Sequence, residues 1–248
     1  MKIVVIGGTG LIGSKVCKNL QDLGHEAFAA SPSTGVNVIS GEGLKEALKG
    51  ADVVVDVANS PSFEDHAALH FFETAGHNLL AAEKLDGVKH HVALSVVGTE
   101  RMLDSGYFRA KMAQENLIKK SGIPYTILRA TQFFEFIHAI AHSGREEGDT
   151  IHLTSAALQP VASADVAQAL TAIALKAPVN QTVEVAGPDN RPLVEFASDY
   201  LKHTNDPRQT VADNTVPYFG APINNQSLTP GANPIVGATR FQDWLKTH

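Results

Sequence analysis

Tyr107 and Lys111 stand four residues apart in "SGYFRAKMAQE", a stretch that reads as the start of a helix. Residues i and i+4 share a helix face, so the phenol and the amine can open into one cleft. A free phenol titrates near about 10 and is a poor base at neutral pH. A neighbouring ammonium favours the phenolate and lowers that value. Such a pair can pass a proton to or from a carbonyl oxygen while hydride moves at the carbon. Ser95, at the end of the apolar run "HVALSVVG", is placed to polarise and orient the carbonyl. The spacing alone is a short motif that also arises by accident, with Tyr107 an ordinary helix-start residue and Lys111 solvated. Position adds weight. The pair follows Ser95 by one loop and precedes the run "PYTILRA", which gathers all three side chains at one carboxyl edge of a sheet.

The elements that must position them alternate along the chain. "KIVVIG" is a short β-branched run ending in glycine and predicts a buried strand. "LIGSKVCKNLQDLG" carries apolar residues at helical spacing and closes on Gly24. "HEAFAA" predicts a strand, "GEGLKEALKG" a short helix, and "ADVVVDVA" a strand apolar on both faces, as inside a parallel sheet. A long helix follows over Phe63 to Leu85, then the strand "VKHHVALSVVG", a helix from Tyr107 to Lys120, the strand "PYTILRA", and a helix from Gln132 to His142. This alternation predicts an α/β fold, a Rossmann-like doubly wound parallel sheet. Beyond about residue 143 the pattern loosens. "TIHLTS" and "LQPVAS" suggest short strands, "ADVAQALTAIALK" a helix after an N-cap at Ser163, "QTVEVAGP" a late strand and "LVEFASDYLKH" a late helix. Thr204 to Pro234 is rich in Pro, Asn, Gly and Thr and predicts loops. The expected organisation is a single domain over residues 1–248. Its core covers about 1–131 plus 181–190, and a small C-terminal substrate-capping region covers about 132–180 and 191–248.

"IGGTGLIGS" lies between the first strand and the first helix and reads as G-x-x-G-x-x-G over Gly7, Gly10 and Gly13, or as G-x-G-x-x-G from Gly8. An early glycine makes the sharp turn, Gly10 lets backbone approach a pyrophosphate, and Gly13 lets the helix pack close to the strand. Thr9, Leu11 and Ile12 complete the loop as candidate contacts. No G-K-[ST] follows, which excludes a P-loop. The expected ligand is a dinucleotide. At the end of the second strand, "AASPSTG" offers no acid to hold a ribose diol; Ser31, Ser33 and Thr34 are hydroxyl donors suited to a phosphate. NADP(H) is therefore favoured over NAD(H).

Together, "GGTGLIGS", Ser95 with Tyr107-xxx-Lys111, and "SGIPYTILRATQFFEF" resemble the short-chain dehydrogenase/reductase superfamily. The match is nearer to its atypical, NmrA-like branch, which has counterparts of "PYTILRATQFF", "VASADVAQAL" and "VEVAGPD" in the same order. The resemblance covers about residues 1–200 and implies roles. Tyr107 is the acid/base, Lys111 holds the nicotinamide ribose, and Ser95 steadies the substrate. Ala58, Asn59 and Ser60 approach the middle of the cofactor, and Thr131 and Gln132 its nicotinamide end. Val97, Phe133, Phe134 and Phe136 are candidates for an apolar substrate pocket. The strand-end N-A-G of the superfamily is replaced by "ANSPS". The implied function is an NAD(P)H-dependent oxidoreductase acting on a small carbonyl, alcohol or quinone-like compound. The branch also contains NADP(H)-sensing regulatory proteins without turnover, which is the alternative; a nucleotide-sugar epimerase or dehydratase ranks third.

Composition narrows the classes further. A net charge of −6 and no run of Lys and Arg argue against a nucleic-acid surface. No stretch approaches the roughly 20 apolar residues of a membrane helix. The single cysteine, Cys17, excludes an intrachain disulfide framework and fits a reducing cytoplasm. His66 and His70, and His138 and His142, are spaced i,i+4 but lack H-E-x-x-H or a cysteine partner, so no metal site is expected. A small-molecule substrate is the expected partner, and a homodimer is left open.

Overall fold

Ile3, Val4, Val5 and Ile6 are all β-branched, so strand β1 (Lys2–Ile6) needs apolar cover on both faces, and it receives it. In the computed structural model, which describes residues 1–248, the chain continues through α1 (Gly13–Asp22), β2 (Glu26–Ala30), α2 (Leu44–Leu48), β3 (Val53–Asp56), α3 (Asp65–Asp86), β4 (His90–Val96), α4 (Gly106–Lys120), β5 (Tyr125–Ala130) and α5 (Ile137–Ala141). Then come β6 (Arg145–Glu147), β7 (Thr150–Leu153), β8 (Ala157–Leu158), α6 (Ser163–Ala174), β9 (Gln181–Ala186), β10 (Arg191–Pro192), α7 (Leu193–His203), β11 (Gln209–Ala212), β12 (Ile235–Val236) and α8 (Phe241–Leu245).

Seven strands form one parallel sheet in the order β12-β9-β5-β4-β3-β1-β2. From β1 the chain runs outward to β2 and then returns past β1 to β3, so the order reverses between β1 and β3. Ligands of open α/β sheets bind at such a reversal, outside the carboxyl ends of the strands. Ile3 and Val5 point to one face, where Val16, Cys17 and Leu20 of α1 and Val166, Ala167 and Leu170 of α6 cover them. Val4 and Ile6 point to the other, beneath Leu44 and Leu48 of α2 and Leu79 of α3. A separate cluster forms the cap, where Phe134, Phe196, Phe241 and Leu245 meet Ile137 and Ile140. No helix is long and apolar enough to cross a membrane.

Three features depart from the sequence reading. Residues 163–174 were expected in the cap, but α6 packs beside α1 on the sheet, because Val166, Ala167 and Leu170 lie on one helical face. Ser163 is the first helical residue of α6 rather than its N-cap. Its N–H and hydroxyl both donate to the Glu135 carboxylate, an acceptor from another segment placed at the positive end of the helix. The helix expected from Gln132 to His142 starts late. The Gln132 carbonyl accepts from Val161 N–H at 2.8 Å, and Phe134 N–H donates to the Val161 carbonyl at 3.0 Å. These ladder bonds keep Thr131–Phe133 extended, and a 3₁₀ turn (Phe134–Phe136) leads into the short α5. Thr131 and Gln132 therefore remain at the carboxyl edge of the sheet.

Candidate functional site

The loop after β1 is shaped by close backbone approach. Gly7 has φ +77°, and a Cβ there would sit 2.9 Å from Ala58 N, just past the end of β3. A Cβ on Gly13 would lie 2.2 Å from the Gly7 carbonyl oxygen. Gly10 meets nothing nearer than that same oxygen at 3.3 Å and is solvent-exposed. Gly10 N–H donates to Gly7 O, and Ser14 N–H to Gly10 O. The N–H groups of Thr9, Leu11, Ile12 and Gly13 have no acceptor in the chain. Four free donors at the start of a ten-residue helix form an anion cradle, reinforced by the helix dipole.

At the end of β2 the three predicted hydroxyls cluster and then divide. Thr34 Oγ1 donates back within the turn, lying 2.8 Å from Ala29 O, and accepts Ser31 N–H at 2.9 Å. It serves the turn. Ser31 and Ser33 hydroxyls lie 2.8 Å apart, and Ser33 is exposed. The Ser31 and Ser33 hydroxyls have no partners besides one another and Thr34, and residues 31–34 include no acid.

The α4 residues share a face as the spacing predicts, for Phe72 of α3 touches both. Its ring lies 6.2 Å from the Tyr107 ring, and Lys111 Nζ sits 4.5 Å from its centroid. The phenol and amine nevertheless have different partners. The Tyr107 hydroxyl donates to Asn59 Oδ1 at 3.1 Å, and the ring packs on Phe63 at 5.3 Å. Burial pushes the phenol up to about 12, against the pull of the Asn59 hydrogen bond, so the depression expected from Lys111 is absent. The reason is that the amine is drawn inward: Lys111 Nζ donates to Leu94 O at 2.8 Å and to Gln114 Oε1 and is 3 % exposed. Burial lowers it to about 8, partly opposed by Asp56 and Glu115.

Ser95 is buried, and its hydroxyl donates to Glu115 Oε1 at 2.7 Å. That carboxylate also receives both Arg129 Nε and a terminal guanidinium nitrogen at 2.8 Å, and Lys119 at 3.0 Å. Burial alone would raise Glu115; the Arg129 guanidinium overrides it and holds the carboxyl low. Ser95 thus belongs to a charged network under α4. Val97 is fully buried, with its N–H on Ala130 O, and Phe134 is fully buried against Phe241 and Trp244 of the cap. Val97 packs the interior, and Phe134 lines a cap cavity with Ile137, His138, Tyr200 and Trp244. Phe133 and Phe136 stack at 5.5 Å, with Phe136 half in solvent.

Thr131 Oγ1 and Gln132 Oε1 are buried polar atoms without a partner, both just beyond β5. Buried polar atoms without a partner are rare in folded proteins, and these two, at the carboxyl edge of the sheet that carries the glycine loop, are free to accept or donate to a bound group. Ala58 N–H is held by Asp56 Oδ1 at 3.1 Å, and Ser60 is buried with its hydroxyl accepting Ser62 N–H. Phosphate-seeking donors at one end of the edge and orphaned polar atoms at the other fit a dinucleotide laid across the switch point.

Residues 7–177 match the NAD(P)H-binding family. The chain belongs to that family. Its relatives are of the atypical short-chain dehydrogenase/reductase, NmrA-like group. The photosystem II assembly factor Ycf39 of Cyanophora paradoxa is 28% identical over 150 residues, 54% of this chain and 46% of that protein. The phenylcoumaran benzylic ether reductase PT1 of Pinus taeda is 27% identical over 175 residues, 58% of this chain and 53% of that protein. The chain spans about half the length of the curated relatives it matches. The NADPH-dependent quinone oxidoreductase QOR2 of Escherichia coli, solved with NADPH, aligns with a TM-score of 0.67 at 22% identity, covering 86% of this chain and 78% of that one. A UDP-N-acetylglucosamine 4-epimerase from Bacillus cereus gives 0.69 at 19% identity, covering 86% and 85%. These structures share the fold.

Sequence reasoning missed Asp56 as a site residue, and missed Gln114, Glu115 and Phe72 entirely. Asp56 carried a signal, a lone acid ending an apolar strand. Gln114 and Glu115 carried none, because their partners lie on β3, β4 and β5.

Proposed function

We propose that the chain binds NADP(H) along the carboxyl edge of β1, β3 and β5 and serves hydride exchange with a small carbonyl, alcohol or quinone-like substrate. The observation that carries this reading is the row of unclaimed groups on that edge: the N–H donors of Thr9, Leu11, Ile12 and Gly13, then Thr131 Oγ1 and Gln132 Oε1. Membership in the NAD(P)H-binding family supports a nicotinamide cofactor, and the Ser31–Ser33 pair with no acid beside it supports the 2′-phosphorylated form.

When bound, the cofactor supplies or takes the hydride. Tyr107 is protonated at neutral pH, since burial holds it near 12, and it serves as the acid. In the reducing direction its hydroxyl proton passes to the substrate oxygen as the carbon gains hydride, and the phenolate is reprotonated from solvent. The proton first leaves its hydrogen bond to Asn59, so Asn59 positions the acid. Lys111 anchors the floor of the cleft and Ser95 acts from beneath through Glu115.

The test is NADPH against NADH fluorescence titration, followed by NADPH oxidation across a panel of ketones and quinones, with wild type and Tyr107→Phe. General acid catalysis is worth roughly 10²–10⁴-fold, so the phenylalanine variant should lose turnover on ketones by that factor and keep NADPH affinity. Equal turnover removes Tyr107 from the chemistry.

A second reading has its own support. The Lys111 amine and the Ser95 hydroxyl are both committed to internal partners, and one relative is named an assembly factor. A regulatory NADP(H) sensor would bind NADPH tightly and oxidise it with no member of the panel.

A further inference from the structure

We propose that Gln114 is a positioning residue, whose side-chain amide couples the Asp56 carboxylate to the Lys111 ammonium and holds the amine beneath the loop that follows β3. Asp56 Oδ2 accepts from Gln114 Nε2 at 2.9 Å, and Gln114 Oε1 accepts from Lys111 Nζ. A carboxylate can only accept and an ammonium can only donate, so the amide has one orientation that satisfies both. All three side chains are buried, at 6%, 4% and 3% exposure. The other Asp56 oxygen holds Ala58 N–H, the next residue is Asn59, and Asn59 accepts from Tyr107. A closed ring results: Tyr107, Asn59, Ala58, Asp56, Gln114, Lys111, and back along α4 to Tyr107. One amide thus ties the two chemical residues of α4 to the loop that abuts Gly7.

The charged surroundings are few. Asp56 faces the amine from β3 and Glu115 from α4. Glu83 of α3 and His91 of β4, themselves 2.8 Å apart, are within electrostatic reach of Asp56. Phe72 of α3 closes the remaining side. With Glu115 occupied by Arg129, Ser95 and Lys119, Asp56 is the carboxylate whose hydrogen bonds lead to the amine, and they lead through Gln114.

That the amine serves a nucleotide rests on the function proposed above; the coupling does not. It is tested on full-length protein without cofactor, labelled with ¹³C/¹⁵N-lysine, by following the Lys111 side chain through a pH titration. Wild type should titrate near 8. Gln114→Leu should lower the titration point by about one pH unit, a tenfold weaker proton affinity. Asp56→Asn keeps the volume and an acceptor oxygen for Gln114 Nε2 but removes the negative charge, which reaches the amine both through the amide and through space. It should shift the point the same way. The double variant should lower the point by less than the sum of the two single shifts, because the part of the Asp56 effect carried by the amide is lost in either one. An unchanged titration in Gln114→Leu, or shifts that add in full, overturns the coupling. Gln114→Met, of the same length and unbranched, replaces the leucine variant if that one does not fold. NADPH titration of the same samples keeps the two ideas apart: the Lys111 shifts in the variants beside a wild type that binds no NADPH overturn the cofactor reading and support the coupling.

Discussion

Alanine at Gly13 and at Gly10 separates two duties of the same loop. At Gly13 the new Cβ would stand 2.2 Å from Gly7 O and 2.7 Å from Gly8 Cα. Both are backbone atoms, so no rotamer change relieves the clash and the start of α1 must move off the strand. Overpacking of this kind costs about 1–3 kcal/mol. For a chain of this size each kcal/mol lowers Tm by about 2–4 °C, giving a drop on the order of 2–12 °C. At Gly10 the new Cβ meets only Gly7 O at 3.3 Å and otherwise solvent, so stability should change by less than about 1 kcal/mol. The methyl group does stand where a pyrophosphate must approach the free N–H groups. Losing one hydrogen bond to a charged group costs about 1.5–3 kcal/mol, which is roughly 10- to 150-fold in Kd. Thermal unfolding and NADPH fluorescence titration read the two effects on one pair of variants. A Gly10→Ala protein with wild-type NADPH affinity would refute the placement of the pyrophosphate here, and an unchanged Tm in Gly13→Ala would refute the close-packing argument.

Three further outcomes are expected. Lys111 loses its proton at about 8 when folded but near 10.5 when unfolded. The unfolded chain therefore binds more protons between those values, and this group makes stability rise with pH across that window; urea unfolding at about pH 7.5 and about pH 9.5 should show a gain in wild type that Lys111→Met lacks. Glu115→Gln removes a buried carboxylate from beneath Arg129, which keeps its ion pair with Glu100, and should destabilise the fold by about 1.5–3 kcal/mol, seen as a lower urea midpoint. Ser95→Ala removes one donor to Glu115 and should cost about 1 kcal/mol in stability with less than tenfold change in turnover; a hundredfold loss in kcat at unchanged stability would place its hydroxyl on the substrate instead.

Much of this molecule could be read from the chain because the signals are local. A β-branched run such as Ile3–Ile6 needs cover on two faces whatever surrounds it, and the glycines at 7, 10 and 13 permit a turn that few other residues do. Helices such as α3 and α4 announce themselves by spacing, and Tyr107 and Lys111 do share a face against Phe72. Helix starts were less legible. Ser163 reads as a cap, but the acceptor at that helix end is Glu135, 28 residues earlier. Gln132 reads as helical, but its carbonyl is claimed by Val161.

The amino-acid order by itself determined the layered α/β architecture, the glycine turn after β1 and the shared helix face of Tyr107 and Lys111, since each follows from short-range geometry and period. Only the tertiary structure decided what those side chains bond to. It turned the Lys111 amine inward to Leu94 O and Gln114, gave the Ser95 hydroxyl to Glu115, buried Val97, and set Phe134 into the cap against Phe241 and Trp244. The physical reason is that a buried polar group must find a partner wherever the fold brings one, and those partners come from strands and helices distant in sequence.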